Sequence, residues 1–222
     1  DSSTSRGLGD VYKRQQFSIV NEIMKHLLTA KDLSESITLS EFYEFTKIDH
    51  HFFTVEMNSF KKIDLNHTSH PNLSLITALE MSCAVPILCK PVFIEDKCYI
   101  DGGLFDNYPI NECLLNENCT EQEILGICNK WTHDELLAND SMNLFQYLQV
   151  SIQQIVKYVR KENEARSIRY EVKCLCDEKI SEASNWIEYM TDREKRTELI
   201  KSGKNHAEIF LQYEKELSQS TV

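Results

Sequence analysis

The stretch CYIDGGLFDNYP, residues 98–109, decides how this chain is read. A carboxylate, Asp101, ends a short apolar run and is followed at once by Gly102 and Gly103. The whole sequence holds six glycines, so two side by side behind one acid mark an unusual backbone. Glycine is required where φ is positive, or where another backbone or a ligand must come into contact. An acid held at a strand end beside such a turn is either a turn former, as Asp-Gly often is, or a catalytic group.

Working outward, KPVFIEDKCYID reads as a hairpin in which two apolar runs flank the polar turn Glu95-Asp96-Lys97. Ahead of it, NLSLITALEMSCA has helical spacing, with Leu75, Ile76, Leu79 and Cys83 on one side and Pro86 as the stop. HFFTVEMNS and KKIDL predict two strands. Phe17, Ile19, Val20, Ile23, Leu27 and Leu28 form an apolar stripe that predicts a first helix, and Ser40 is the expected N-cap of a second. Downstream, a strand is expected near 124–128 and another over IRYEVKCLC. Residues 141–165 predict an amphipathic, core-facing helix carrying Phe145, Leu148, Ile152, Ile155, Val156 and Val159. Thr191 with Glu194 has the capping-box spacing for a helix that Gly203 would end, and a further helix spans about 205–217. Strands alternating with helices indicate an α/β layer fold.

The charge balance limits the partners. A net charge of −11 argues against nucleic acid, and against attraction to an anionic membrane by charge alone. No apolar run approaches the ~18 residues of a membrane span. Eight cysteines without any C-x-x-C suit neither a disulfide scaffold nor a zinc site of the usual spacing. Free thiols and a cytoplasmic location are expected, which makes the sequons at Asn66, Asn72, Asn118 and Asn139 accidental. His50-His51 and His67-x-x-His70 have no acid or thiol at a ligand spacing, so they read as solvated loop histidines and no metal is expected.

The longer run ALEMSCAVPILCKPVFIEDKCYIDGGLFDNYPI, residues 78–110, resembles the C-terminal part of the patatin-like phospholipase domain. In that family a helix ending in Ala-Ser-x-Ala-x-Pro leads through a strand pair into Asp-Gly-Gly, and an Asn and a Pro follow. Ser82, Ala84, Pro86, Asp101, Gly102, Gly103, Asn107 and Pro109 fall where that pattern wants them. The resemblance implies a three-layer α/β fold with a mostly parallel central sheet, truncated at its N-terminus and followed by a helical extension. It also implies a lipid acyl hydrolase with a serine nucleophile and an aspartate base, needing no cofactor and working as a peripheral protein at a lipid or membrane-surface substrate. Asp101 stands at the position of the base. Gly102, Gly103, Asn107, Pro109, Ser82 and Pro86 support the motif without direct chemistry. Asp106 replaces the family's usual Asn, and a second carboxylate raises the pKa of Asp101 if the two approach.

The family's serine sits in G-x-S-x-G on a tight strand-to-helix turn. The six glycines here are at 7, 9, 102, 103, 126 and 203, and no two are four apart. The nucleophile and its oxyanion loop are therefore expected outside these 222 residues, and the chain alone is expected to be inactive. The rival is a binding or regulatory module that keeps the fold and lacks the nucleophile. Cys83, before Pro86 on an apolar helix face, reads as a packing thiol rather than a substitute nucleophile. Residues 1–15, DSSTSRGLGDVYKRQ, show no strand or helix period and resemble a translated adapter, so they are set apart as a non-native leader. Residues 16–130 are then the hydrolase part, and 131–222 the mainly helical extension.

Overall fold

The computed structural model describes residues 19–86, 89–116, 119–131, 138–162, 168–176, 189 and 191–220. Helices and strands alternate, as expected of an α/β chain. The elements are α1 (Ile19–Thr29), α2 (Leu39–Thr46), β1 (Phe52–Glu56), β2 (Lys61–Leu65), α3 (Leu75–Ser82), β3 (Val92–Ile94) and β4 (Lys97–Asp101). A 3₁₀ turn (Gly102–Leu104) follows, then α4 (Ile110–Asn116), β5 (Leu125–Trp131), α5 (Leu144–Glu162), β6 (Tyr170–Cys176) and α6 (Arg193–Ser220). The chain divides into two compact units, residues 1–107 with 151–163 and residues 108–150 with 164–222.

In the first unit four strands form a sheet in the order β2-β1-β4-β3, and every pairing is antiparallel. This corrects the expected mostly parallel central sheet. The β1–β2 and β3–β4 links are tight hairpins, with Glu56 opposite Lys61 and Ile94 opposite Lys97. Such short connections can join only antiparallel neighbours, because a parallel crossover needs a dozen residues or more. Among the described residues, parallel pairing occurs between β5 and β6 alone, in the second unit.

The main core lies between the helices and this sheet. Leu28, Leu39, Leu75, Ile76, Ala78 and Met81 come from α1, α2 and α3, and Leu65 and Tyr99 from the sheet. Fully burying aliphatic side chains of this size contributes about 1.5–3 kcal/mol each. Thr54 is a polar member of the interior, with no exposed surface. Its hydroxyl shares a hydrogen between Ile100 O at 2.8 Å and Met81 O at 3.2 Å, which fastens β1, β4 and the end of α3 together.

The helix ends depart from the expected caps. The N-cap of α2 is Thr38 rather than Ser40. The Thr38 hydroxyl accepts from Glu41 N at 3.2 Å, and the Glu41 carboxylate accepts from Thr38 N at 2.9 Å, a complete capping box. Ser74 caps α3 through Thr77 N at 3.1 Å, and the helix ends at Ser82, ahead of Pro86. Asp192 Oδ1 accepts from Glu194 N at 2.7 Å at the start of α6, and that helix runs straight through Gly203 to Ser220. An interior glycine costs a helix about 1 kcal/mol, which does not oblige it to stop.

Two apolar stripes are turned differently from expectation. Ile23 and Leu27 of α1 are exposed while Leu28 is buried; Phe17 lies outside the described residues. Of the stripe assigned to α5, Leu148 and Ile155 are exposed and Ile152 and Val156 half-buried, so at these four positions the stripe is only partly covered. Residues 163–165 of the expected helix lie outside the described residues.

In the second unit Ile110, Ile124 and Ile168 form a small core, joined by Tyr108, Cys113, Leu114 and Cys119. Gly126 has a packing reason: a Cβ there would fall 1.7 Å from Tyr108 Oη. Burial, and then the nearby Glu171 carboxylate, pushes the Tyr108 hydroxyl up from its ordinary value.

The β1–β2 turn is held by one acid. Glu56, buried at the end of β1, accepts from Asn58 N at 2.8 Å and Ser59 N at 2.9 Å, and also from the Ser59 hydroxyl. The Ser59 hydroxyl, followed by these backbone amides, holds the Glu56 carboxyl below its ordinary value of 4.5. The folded value lies below the unfolded one, so the stabilisation is full above the usual glutamate range. It is lost as pH falls through the depressed value. Thermal melts from pH 6 down to about pH 3 should show a loss of stability that Glu56→Gln makes shallower.

Candidate active site

Asp101 is the last residue of β4, next to β1 in the middle of the sheet, with Thr54 as its register partner. The preceding Ile100 is buried and Asp101 itself half-buried, so the chain leaves the core at the carboxylate. Asp101 N donates to Ala84 O at 3.1 Å, tying the strand end to the segment that follows α3. The side chain turns onto its own loop, where Oδ1 accepts from Gly103 N at 2.6 Å. A charge-assisted hydrogen bond from a backbone amide fixes the direction of the carboxylate.

The glycines answer the question raised by the opening stretch. No glycine among the described residues has a positive φ. Gly102 is needed for close approach instead: a Cβ there would lie 2.4 Å from Phe53 O and 2.5 Å from Phe53 C, both backbone atoms of β1. At Gly103 a Cβ would meet Asn107 Oδ1 at 2.7 Å and Asp101 Oδ1 at 3.0 Å. The structure thus brings Asp101, Gly103 and Asn107 together around one turn. Backbone bonds from Phe105 N at 3.1 Å and Asp106 N at 3.2 Å to Gly102 O close that turn. Pro109 stands just before α4, where its carbonyl accepts from Cys113 N at 3.2 Å.

The other predicted positions flank the strand end. Ser82, half-buried, closes α3, and Pro86 is half-buried four residues on. Cys83 is the C-cap of α3 and is exposed, not packed as its apolar neighbours suggested. Crowding by protein atoms pushes both the Cys83 and Cys89 thiols up, and the Asp101 carboxylate adds to the push on each. Raised thiols carry little thiolate, which disfavours them as nucleophiles. All eight cysteines lie within the described residues, and none is in a disulfide.

Asp106 does have a basic neighbour. Its carboxylate lies 3.4 Å from Lys62 Nζ, with both side chains mostly buried. The histidines also have acid partners that sequence spacing hid. His51 Nδ1 lies 2.7 Å from Asp64, thirteen residues away, and His67 Nδ1 lies 2.9 Å from Asp49, eighteen away. His67 also stacks on Tyr43 at 3.8 Å. His51 and His67 are therefore paired rather than simply solvated, while His50 Nδ1 lies 2.8 Å from Ile48 O and His70 Nδ1 2.9 Å from Ser69 Oγ. Among the described residues no group of three histidine, cysteine or acidic side chains is arranged to hold a metal ion.

A sequence model of the family described as patatin-like phospholipase matches residues 7–114. This segment is patatin-like. The matched region contains β1 to β4, the 3₁₀ turn, Ser82, Pro86, Asp101 and Pro109, and it reaches back to Gly7, over part of the stretch set apart as a leader. The chain is also 29% identical over 99 residues to a protein described as "Probable lipid hydrolase 463L" from Invertebrate iridescent virus 6. That alignment covers 43% of this chain and 34% of the relative, so the chain spans about a third of that curated relative's length. Among the described residues, no helix of the chain is long and apolar enough to cross a membrane.

Proposed function

We propose that this chain is part of a lipid acyl hydrolase that cleaves acyl esters of phospholipids or related lipids through a Ser/Asp dyad. Asp101 is the proton acceptor, and the serine comes from sequence outside these 222 residues. The reaction is that of a serine hydroxyl on an ester carbonyl. A free hydroxyl is a weak nucleophile and needs a base within ~2.6–3.2 Å. Asp101 would take the hydroxyl proton as the Oγ–carbonyl bond forms, then return it to the departing alcohol as the acyl-enzyme appears. Water would reverse the sequence to release the acid. The dyad uses no metal or organic cofactor.

One observation carries this reading: a half-buried carboxylate at a strand end, oriented by Gly103 N at 2.6 Å, inside a segment that matches a phospholipase family. Residues 16–130 then form the hydrolase part of a layered α/β domain, and 131–222 an extension that does not carry the chemistry. Such a protein would work peripherally at a lipid surface, and free thiols suit the cytoplasm.

The test begins with the chain itself. Removing an oxyanion donor costs about 2.7–4 kcal/mol of transition-state stabilisation, and without the serine no acyl-enzyme forms. The 222-residue polypeptide should give no turnover of a short-chain acyl ester above background. Turnover that Asp101→Asn abolishes would contradict the external nucleophile. Reading the frame upstream of residue 16 decides between enzyme and binding module. A strand, G-x-S-x-G and a helix are expected; a natural start there without a serine would leave a non-catalytic module.

A further inference from the structure

The loop after Asp101 is fastened to the sheet at three points. Gly102 lies against the Phe53 backbone. Phe105 meets Phe60 edge-on, with ring centres 4.8 Å apart. Asp106, only 12% exposed in its side chain, faces Lys62 Nζ at 3.4 Å, and that ammonium also stands 5.5 Å from the centre of the Phe53 ring. Lys62 belongs to β2, opposite Val55, and β1 separates it from the strand that bears Asp101. In sequence it lies outside the motif, thirty-nine residues before Asp101.

We propose that Lys62 is a positioning residue for the Asp101 site: its ion pair with Asp106 closes the 102–107 loop so that Gly103 N–H stays on Asp101 Oδ1. The inference rests on the reading of Asp101 as the proton acceptor. The loop transmits the constraint because it is one turn. Asp106 N and Phe105 N both bond to Gly102 O, so the position of Asp106 fixes the peptide planes that aim Gly103 N at the carboxylate. A pair this sheltered is screened less by salt than an exposed one, and removing one partner strands the other charge. The ammonium also neutralises a second acid close in sequence to Asp101. The aromatic ring beneath it adds a weaker attraction.

Gly103 reports the outcome in amide NMR of the 222-residue chain. In Lys62→Met the Gly103 N–H should move upfield and exchange with solvent about tenfold faster, while amides of β1 and β2 keep their protection. Lys62→Arg should restore the wild-type signal, and Asp106→Asn should reproduce the Lys62→Met change even if that variant folds poorly. A Gly103 amide unmoved in folded Lys62→Met or Asp106→Asn protein overturns the proposal, as does a loss that Lys62→Arg fails to rescue. Failure of the base assignment looks different. Asp101→Asn would then leave ester hydrolysis intact in the serine-bearing protein, whatever the Gly103 amide does.

Discussion

Gly102→Ala should unfold the first unit at temperatures the unaltered chain survives. The added Cβ would sit 2.4 Å from Phe53 O and 2.5 Å from Phe53 C. These are backbone atoms of β1, the strand paired with both β2 and β4, so they cannot rotate away as the end of a side chain would. Relief requires prising β4 from β1 next to Thr54, whose buried hydroxyl bridges Ile100 O and Met81 O. Overpacking of a rigid interior costs 1–3 kcal/mol and at times more, and about 3 kcal/mol lowers Tm by roughly 10–20 °C in a unit of this size. Gly103→Ala is the contrast. Its Cβ would meet the side-chain oxygens of Asn107 and Asp101, which can give way, so the melt should shift little while the carboxylate is displaced. Differential scanning calorimetry separates the two, and a wild-type melt for Gly102→Ala would contradict the close approach.

Asp101→Asn should have the largest effect on chemistry. In the protein that supplies the serine, acyl-ester turnover should fall by about 10²–10⁴-fold, the range a positioned general base contributes. The amide keeps the shape of the carboxyl group, and its oxygen can still accept from Gly103 N, so the strand end and the turn survive. On the proposed reading, what disappears is the ability to take the serine proton and hold it as the acyl-enzyme forms. The fall should therefore appear in kcat more than in KM, because the side chain acts on the reacting hydroxyl and not on the lipid. An unchanged melting temperature would confirm that chemistry alone was lost.

Much of the sheet was legible in the sequence because its signals are local. The polar turn Glu95-Asp96-Lys97 between apolar runs gave the β3–β4 hairpin, and FFTVE with KKIDL gave β1 and β2. Asp101 stood out because two of six glycines follow it. The parallel direction follows from the resemblance alone, whereas the short β1–β2 and β3–β4 connections dictate antiparallel pairing. The anchors of the site were illegible for a different reason. Thr54 reads as one more β-branched strand residue, and Lys62 as one charge among many; both acquire meaning only through partners 27 to 46 residues away. The capping error at α2 was avoidable, since T-L-S-E at 38–41 spells the box that forms there. On α5 helical spacing shows that a face is apolar without showing how fully it is covered, and Leu148 and Ile155 stay exposed.

The central claim is that Asp101 activates a serine carried elsewhere in the protein. It is tested most directly by the rate at which a fluorophosphonate ester, a probe that bonds covalently to activated serines, labels the serine-bearing protein and its Asp101→Asn variant. The account predicts one labelled serine, located outside these 222 residues, and labelling slowed at least a hundredfold, roughly the lower bound for a general base, in the variant. Equal labelling rates in the two proteins, or no labelled serine at all, would contradict it.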